Sequence, residues 1–406
     1  MGNWNGLIGV GVILLLAFAL STNKRAVRPR IVIAALAFQA ALAALVLYWP
    51  AGRTALSAMS AGVQTVIDFS RAGIAMVFGP LASEVGFSFA INVLPIIIFF
   101  SALMSVLYYL GIMQRVVDWV GGLLKLLIGA GRVESLTAAA NIFVGQTEAP
   151  LVVRPYLAHI TRPQLFAIMV SGMASVAGSV LAAYAQMGIS IEYLLAASFM
   201  SAPGGLLMAK IIMPDGKDDG AGATAHAIDG ADEAPSNLIM AAAKGAQDGM
   251  IMAVSIAAML IAFVSLIALV NGMLSGLGSL AGVEGLTLQR VLGFVFAPVM
   301  WLLDIPWSEA RTAGGIFGEK LILNEFVAFL HLGEIKDTLS PRTVAITTFA
   351  LCGFANLSSI GILMAALQAL APQRAPEMAR YGLHVVAAGS LSNLMSAALA
   401  SLFIPG

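Results

Sequence analysis

Two glutamates of this 406-residue chain lie in the middle of long apolar segments. Glu148 interrupts the segment 136–159, within the hexapeptide Gly-Gln-Thr-Glu-Ala-Pro of residues 145–150, and Glu325 interrupts the segment 321–332. An ionisable group in such surroundings is costly, so each position indicates a functional site. A carboxylate there can cap the partial positive end of a half-helix. It can also accept hydrogen bonds from a ligand, which is the chemistry that these two positions predict.

The composition determines which class of protein can contain such residues. Hydrophobic residues make up 60% of the chain and charged residues only 10%, whereas soluble domains have about 25% charged residues. Apolar runs of about 20 residues fit membrane-crossing helices rather than barrel strands, which need about 10 alternating residues. One cysteine, Cys352, excludes a disulfide scaffold, and balanced charges argue against nucleic-acid binding. The sequence therefore predicts an all-α polytopic membrane protein whose surroundings are the lipid bilayer.

Basic residues indicate the orientation of the chain. The first apolar run, Leu7 to Leu20, lacks a basic leader and a cleavage site, so we interpret it as a retained helix. Four basic residues follow within residues 24–30, and such a cluster marks the cytoplasmic side. The N-terminus is therefore predicted to lie outside, and following the spans along the chain places the C-terminus outside as well.

Polar interruptions divide four of the apolar segments. Two of them contain the glutamates, and the others are the segments 164–184, broken near residues 171–179, and 344–370, broken at residues 353–359. Backbone left unpaired at membrane depth must be buried in protein or line a wet cavity. The segment around Glu148 has basic residues at both ends, so a re-entrant hairpin that enters from the cytoplasm is predicted.

The same order of elements occurs twice, in residues 91–213 and 237–406. A short echo supports the repeat, because Gly-Met-Ala-Ser at 172–175 and Gly-Phe-Ala-Asn at 353–356 occupy equivalent places. The first copy starts from outside and the second from inside, so the two copies have opposite topology. Inverted repeats with discontinuous helices at matching positions predict a secondary transporter with its site near the bilayer midplane.

The predicted architecture has about eight transmembrane helices, two re-entrant hairpins and interfacial helices. Its units are residues 1–90 with membrane helices and an amphipathic stretch; a first repeat with span 91–113, interfacial helix 115–130, hairpin 135–159, broken span 164–185 and span 193–213; a polar cytoplasmic linker 214–236; and a second repeat with span 237–271, outer interfacial helix 287–304, hairpin 309–335, broken span 341–371 and span 381–404.

Three motifs resemble the signatures of the concentrative nucleoside transporter family. They are Asn-Ile-Phe-Val-Gly-Gln-Thr-Glu-Ala-Pro at 141–150, Leu-Asn-Glu-Phe-Val-Ala at 323–328 and Cys-Gly-Phe-Ala-Asn-Leu-Ser-Ser at 352–359. The resemblance covers about residue 91 to the end, and the short N-terminal part resembles bacterial members. It implies a homotrimer in the bacterial inner membrane, in which a transport part moves as an elevator across a scaffold. Residues 1–90 and the spans 91–113 and 237–271 would belong to the scaffold.

The resemblance also implies a nucleoside site. The nucleobase would face Gln146, Thr147 and Glu148; the ribose hydroxyls would bind Glu325, Asn356 and Ser359; Phe354 would pack on the base, and Val180 would line the apolar side. Charge-assisted hydrogen bonds from vicinal hydroxyls to a carboxylate are roughly twice as strong as neutral ones. An aromatic stacking face contributes about 1–3 kcal/mol per base. A nucleoside such as uridine would therefore suit these residue types.

The coupling ion implied by the resemblance is sodium. The matching positions are Asn141, Val144, Ser175 and Val176. Asn and Ser would give side-chain oxygens, and the two valines would give backbone carbonyls freed by the helix breaks. Hard cations prefer such oxygen ligands. Some bacterial relatives use protons instead, so a proton-coupled symporter is the alternative.

Other classes of protein remain open at this stage. An intramembrane enzyme could use Glu148 and Glu325 as an acid and a base, but no nucleophile, metal or cofactor motif accompanies them, so we do not expect an enzyme. A passive channel could also contain re-entrant hairpins, but it needs no set of residues for recognising a sugar and a base. A purely structural subunit would leave two costly glutamates unexplained.

Overall fold

Helices form the entire regular structure of the part of the chain that the structure describes. The computed structural model describes residues 4–84, 88–216, 236–280 and 282–405, and no strand occurs in those ranges. The N-terminal helices are α1 (Trp4–Ala19), α2 (Pro29–Leu47), α3 (Pro50–Phe78) and the short α4 (Leu81–Glu84). Most of the predicted linker 214–236 lies outside the described residues.

The first repeat contains one hairpin and one broken span. Its helices are α5 (Phe89–Asn92), α6 (Leu94–Tyr109), α7 (Ile112–Ile128), α8 (Arg132–Ala140), α9 (Arg162–Ala174), α10 (Gly178–Gln186) and α11 (Ile191–Ile212). The returning half of the hairpin is a 3₁₀ helix, Ala149–Tyr156, rather than an α-helix. Pro155 explains the difference, because inside the helix it removes a backbone N–H donor and its ring clashes with the preceding turn.

The second repeat follows the same order. Its helices are α12 (Leu238–Leu280), α13 (Leu288–Leu302), α14 (Trp307–Ile322), α15 (Glu325–Ile335), α16 (Pro341–Leu351), α17 (Leu357–Leu370) and α18 (Ala375–Ser401). Helices α14 and α15 form the second hairpin, and α16 and α17 form the broken span. The all-α fold class with re-entrant and broken helices is confirmed.

Six helices of the described residues are long and apolar enough to cross a membrane. A seventh span is possible if the bent pair α13–α14, with an angle of 117° between the two helices, is counted as one. Burial separates these helices into two groups. In the most apolar stretch of 18 residues, 94% of the stretch in α9–α10 is buried, but only 22% of the stretch in α12 is buried. The first broken span therefore lies in the protein interior, whereas α12 has a large exposed apolar face.

Helices α1 and α2 pack against the central bundle. The fully buried Gln39 of α2 donates from Nε2 to Ser396 Oγ of α18 at 3.0 Å and to the Met200 carbonyl of α11 at 3.3 Å. The sequence analysis grouped residues 1–90 with the scaffold spans. These contacts instead join α2 to the bundle that contains the first broken span, and the division into moving and fixed parts stays a prediction.

Helices α6 and α12 cross at a very short distance. A Cβ atom added at Gly245 would lie 2.7 Å from the Ser101 carbonyl oxygen and 2.6 Å from Ser105 Cβ. The Ser105 hydroxyl also donates to the Ala241 carbonyl at 2.8 Å. Only glycine allows this approach, so the contact fixes the position of α12 against α6.

We predict that Gly245→Ala destabilises the protein, because the added methyl group meets backbone atoms of α6. Overpacking of this kind costs about 1–3 kcal/mol. The measurement is the midpoint of thermal unfolding in detergent. Gly122→Ala in α7 is the matched control, since nothing lies within 4 Å of a Cβ there. An unchanged midpoint for Gly245→Ala would contradict the close crossing.

Candidate functional site

A cavity of about 630 Å³ lies between α12 and the four interrupted segments. One wall is formed by α12, and the other is formed by the two hairpin tips and the second halves of the broken spans. The lining residues are Gly145, Gln146, Thr147, Glu148, Ala177, Val180, Asp248, Ile251, Met252, Ser255, Ile256, Met259, Leu260, Asn324, Glu325, Phe326, Phe354, Ser358, Ser359 and Ile362. Glu148 and Glu325, which are far apart in sequence, therefore face one space.

Glu325 is held by donors from both repeats. It is the first residue of α15 and is 5% exposed. Its Oε1 accepts a hydrogen bond from the Tyr184 hydroxyl of α10 at 3.1 Å, and its Oε2 accepts one from Asn356 Nδ2 at 2.9 Å. Its place in the first turn of a helix is favourable for a negative charge. Each carboxylate oxygen keeps a free lone pair, so Glu325 can accept two further hydrogen bonds.

Asn356 fixes the start of α17 and points its amide group at Glu325. Its Oδ1 accepts the Ser359 backbone N–H at 2.8 Å, which is the contact of a helix N-cap. The Ser358 hydroxyl lies 2.7 Å from the same Oδ1 and 3.1 Å from the Leu323 carbonyl at the tip of the second hairpin. The second break and the second hairpin tip are thereby joined into one polar cluster.

The tip of the first hairpin presents polar atoms that have no protein partner. The carboxylate atom Glu148 Oε2 and the amide oxygen Gln146 Oε1 are both shielded from solvent and lack a hydrogen bond. The tip is tight, because a Cβ at Gly145 would lie 2.6 Å from Glu148 Oε2. Buried polar atoms in native proteins are almost always satisfied. Two unsatisfied acceptors in a hairpin tip that lines the cavity therefore support the prediction that this tip receives the donors of a ligand.

Both hairpin tips are locked to the break of their own repeat. The Phe143 carbonyl accepts the Gly178 N–H at 3.0 Å in the first repeat, and the Leu323 carbonyl accepts the Ser358 hydroxyl in the second. The two breaks also touch each other, since the Phe354 N–H donates to the Ser175 carbonyl at 3.1 Å. Both tips and both breaks thus form one connected unit.

The structure brings together seven of the eight residues predicted to bind a substrate. Gln146, Thr147, Glu148, Val180, Glu325, Phe354 and Ser359 line the cavity. Asn356 is fully buried behind them. It donates a hydrogen bond to Glu325 and caps the start of α17. Whether these residues contact a substrate stays a prediction.

Sequence reasoning missed the wall formed by α12. Asp248, Met252, Ser255 and Met259 lie three or four residues apart and line the cavity as one helix face. No functional role was predicted for Asp248, but this residue lines the cavity. The polar residues at 248 and 255 within an apolar helix were the signal that could have revealed this wall.

Tyr184 was also missed. It is fully buried in α10, its ring stacks on Phe329 with centroids 4.2 Å apart, and its hydroxyl reaches Glu325. The sequence contains one signal for this contact, which is that Tyr184 follows shortly after the polar break near residues 171–179.

The four positions predicted for sodium offer oxygen atoms that are free to bind a cation. Asn141 is 1% exposed, and its Oδ1 has no hydrogen-bond partner. The Ser175 hydroxyl donates weakly to the Ser171 carbonyl at 3.3 Å, which leaves its oxygen lone pairs available. The carbonyls of Val144 and Val176 accept no hydrogen bond from the described residues. A buried, unpaired amide oxygen beside freed carbonyls suits a hard cation such as sodium.

Paired broken helices around a solute-sized cavity define the class of secondary transporters. Comparison with known proteins agrees. Family models match three parts of the chain: "Na+ dependent nucleoside transporter N-terminus" at residues 8–81, "Nucleoside recognition" at 90–191 and "Na+ dependent nucleoside transporter C-terminus" at 193–401.

Relatives and a solved structure match over nearly the full length. The chain is 48% identical to "Nucleoside permease NupC" of Helicobacter pylori, with 98% of this chain and 97% of the relative covered. It is 50% identical to "Uncharacterized transporter YutK" of Bacillus subtilis, with 98% and 99% covered. A structure of CNTnw in an inward-facing substrate-bound state has a TM-score of 0.93 and 48% identity, with 99% of this chain and 98% of that chain covered.

The chain therefore belongs to the Na⁺-dependent, or concentrative, nucleoside transporter family. This family consists of transporters and permeases rather than enzymes, so the enzyme alternative is excluded.

We predict that Tyr184→Phe destabilises the protein, because Glu325 loses one of its two protein donors while remaining buried. A hydrogen bond to a charged group contributes about 1.5–3 kcal/mol. The measurement is again the thermal midpoint in detergent. Tyr381→Phe is the control, since the Tyr381 ring likewise packs against a phenylalanine, Phe166, with centroids 6.0 Å apart. Equal midpoints for the two variants would show that the Tyr184 hydroxyl contributes nothing.

Proposed function

We propose that this protein is a sodium-driven symporter that imports nucleosides such as uridine across the bacterial inner membrane. It works as a homotrimer, with both termini outside, and an elevator movement exposes the cavity to either side in turn. The observation that carries the proposal is the cavity that both glutamates face, with unpaired acceptors on one side and a doubly anchored carboxylate on the other.

The two sides of the cavity suit the two halves of a nucleoside. Glu325 has two free lone pairs beside its contacts with Tyr184 and Asn356, so it can accept both vicinal hydroxyls of a ribose. Gln146 and Glu148 offer unsatisfied acceptors to the N–H groups of a base. Phe354 adds an aromatic face, and stacking on such a face contributes about 1–3 kcal/mol per base.

The chemistry of the α12 wall supports an elevator movement. Its cavity-lining residues are mostly apolar, including Ile251, Met252, Ile256 and Met259. Hydrophobic contacts are non-directional, so such a surface can slide without breaking a fixed set of hydrogen bonds. The opposite wall is one hydrogen-bonded unit of tips and breaks. A rigid unit of hairpin tips and breaks that can slide along the apolar face of α12 is an arrangement that suits alternating access.

Sodium coupling follows from the position of the free oxygens. Asn141 and Val144 belong to the same hairpin tip as Gln146 and Glu148, and Ser175 belongs to the break that contacts Phe354. A cation held by these oxygens would order the tip that receives the base. Binding of the cation and of the nucleoside would then be mutually favourable, because coupling between two sites is reciprocal.

We predict that Glu325→Gln weakens uridine binding by about 10- to 100-fold, because a carboxamide cannot repeat the two acceptor oxygens and adds a donor facing Tyr184 or Asn356. The measurement is calorimetric titration of uridine in sodium, with thermal unfolding to confirm the fold. Glu334→Gln is the matched control, since Glu334 is exposed on the same helix. Wild-type affinity in Glu325→Gln would overturn the assignment of Glu325 to the ribose.

We predict that replacing sodium by potassium abolishes uridine accumulation in proteoliposomes while the proton gradient is held constant, because the sodium gradient is the proposed driving force. Accumulation above the external level in sodium would distinguish the symporter from a channel. Accumulation that follows the proton gradient and ignores sodium would instead support the proton-coupled alternative.

A further inference from the structure

A fully buried lysine lies beside the site and has no role in the function proposed above. Lys320 is 0% exposed and sits in the last turn of α14, just before the tip of the second hairpin. No carboxylate of the described residues lies within 4 Å of its ammonium group. Removing an ammonium group from water is costly unless other groups replace the water. The groups around Lys320 must therefore account for its position.

Those groups are acceptors at the ends of broken helices. Lys320 Nζ donates to the Ala350 carbonyl at 2.8 Å and to Asn393 Oδ1 at 2.6 Å. Ala350 lies in the last turn of α16, where the helix dipole places partial negative charge. The Phe317 ring lies 5.7 Å from Nζ, within the distance of a cation–π contact. All three neighbours favour a positive charge.

Asn393 extends this contact to both breaks. Its Nδ2 donates to the Ala174 carbonyl at 2.7 Å and to the Cys352 carbonyl at 2.8 Å. Ala174 ends α9, and Cys352 follows α16, so the same amide joins the carboxyl ends of both first half-helices. The packing is tight, because a Cβ at Gly353 would lie 2.3 Å from Asn393 Oδ1.

The equivalent place in the first repeat is the proposed sodium site. That site lies where the end of α8 meets the end of α9, with Asn141 and Ser175 as ligands. Lys320 lies where the end of α14 meets the end of α16, and these are the corresponding helices of the second repeat. We propose that the Lys320 ammonium group is a tethered cation, which takes the place in the second repeat that sodium takes in the first.

This inference rests on the proposed function and gives Lys320 a positioning role. The tethered cation holds the carboxyl end of α16, and thereby the break that leads to Asn356. Asn356 in turn orients Glu325, whose Oε2 accepts a hydrogen bond from Asn356 Nδ2 at 2.9 Å. The residues that would bind the ribose are thus held in place by a covalently attached cation, whereas the hairpin tip that would bind the base is ordered only when a sodium ion binds. Only one of the two corresponding cation positions, the one in the first repeat, then needs a free ion.

The test compares Lys320→Met, Lys320→Ala and Lys336→Met in the full-length protein. Methionine keeps an unbranched side chain, one heavy atom shorter, and removes the charge. Lys336 is the matched control, because it is a half-buried lysine that also donates to a carbonyl, that of Gly188, at 3.0 Å. Uridine binding at saturating sodium is measured by calorimetry, with and without ethylammonium chloride, and choline chloride serves as the ionic-strength control.

We expect Lys320→Met to weaken uridine binding by about tenfold or more, and Lys336→Met to leave it unchanged. Lys320→Ala should lose binding similarly, and ethylammonium should restore most of it, whereas choline, whose trimethylammonium group is much bulkier than the removed ammonium group, should not. This rescue decides the question even if Lys320→Met fails to fold.

Two results would overturn the inference. Wild-type affinity in Lys320→Met would show that Lys320 only fills space, and no gain of Lys320→Ala with ethylammonium would show that a cation at this place has no role. Failure of the wild-type protein to bind uridine in sodium would instead contradict the proposed function itself.

Discussion

A carboxylate buried inside a membrane protein needs hydrogen-bond donors, and this requirement determines the structure around the cavity. An unbroken helix uses its own N–H groups internally and offers none to a buried acid. Breaking the helices frees backbone groups and creates new helix starts. Glu325 lies at one such start and is held by Asn356, which caps another, and by Tyr184 from the opposite repeat. The interruptions are therefore the means by which the chain can hold a charge at this depth.

The repeat distributes opposite charges between two kinds of helix end. Starts of half-helices face the cavity and favour acids and ligand oxygens, whereas ends of half-helices face inward and favour cations. Asn141 and Ser175 lie at such helix ends in the first repeat. Lys320 and Asn393 contact the carbonyl groups of such ends in the second. One arrangement of backbone thus produces both a substrate site and its supporting cation positions.

Much of the fold was predictable, because polar breaks in apolar segments and hydropathy are local signals. Seven cavity residues were predicted from the family resemblance: six belong to the three motifs that carry it, and Val180 lies in the first broken span. The α12 wall with Asp248 and the contact of Tyr184 with Glu325 were not predictable, because they depend on how distant helices pack. The 3₁₀ form of the returning half of the first hairpin was not predicted, although Pro155 within it was a local signal in the sequence.

The central claim is that one cavity between the two hairpin tips binds the nucleoside, with the sugar on Glu325. The most direct measurement is a cryo-electron microscopy structure of the protein in sodium and uridine. The account predicts uridine between the tips, with its ribose hydroxyls within hydrogen-bond distance of Glu325 and its base beside Gln146 and Glu148. Uridine bound outside this cavity, or with its ribose away from Glu325, would contradict the account.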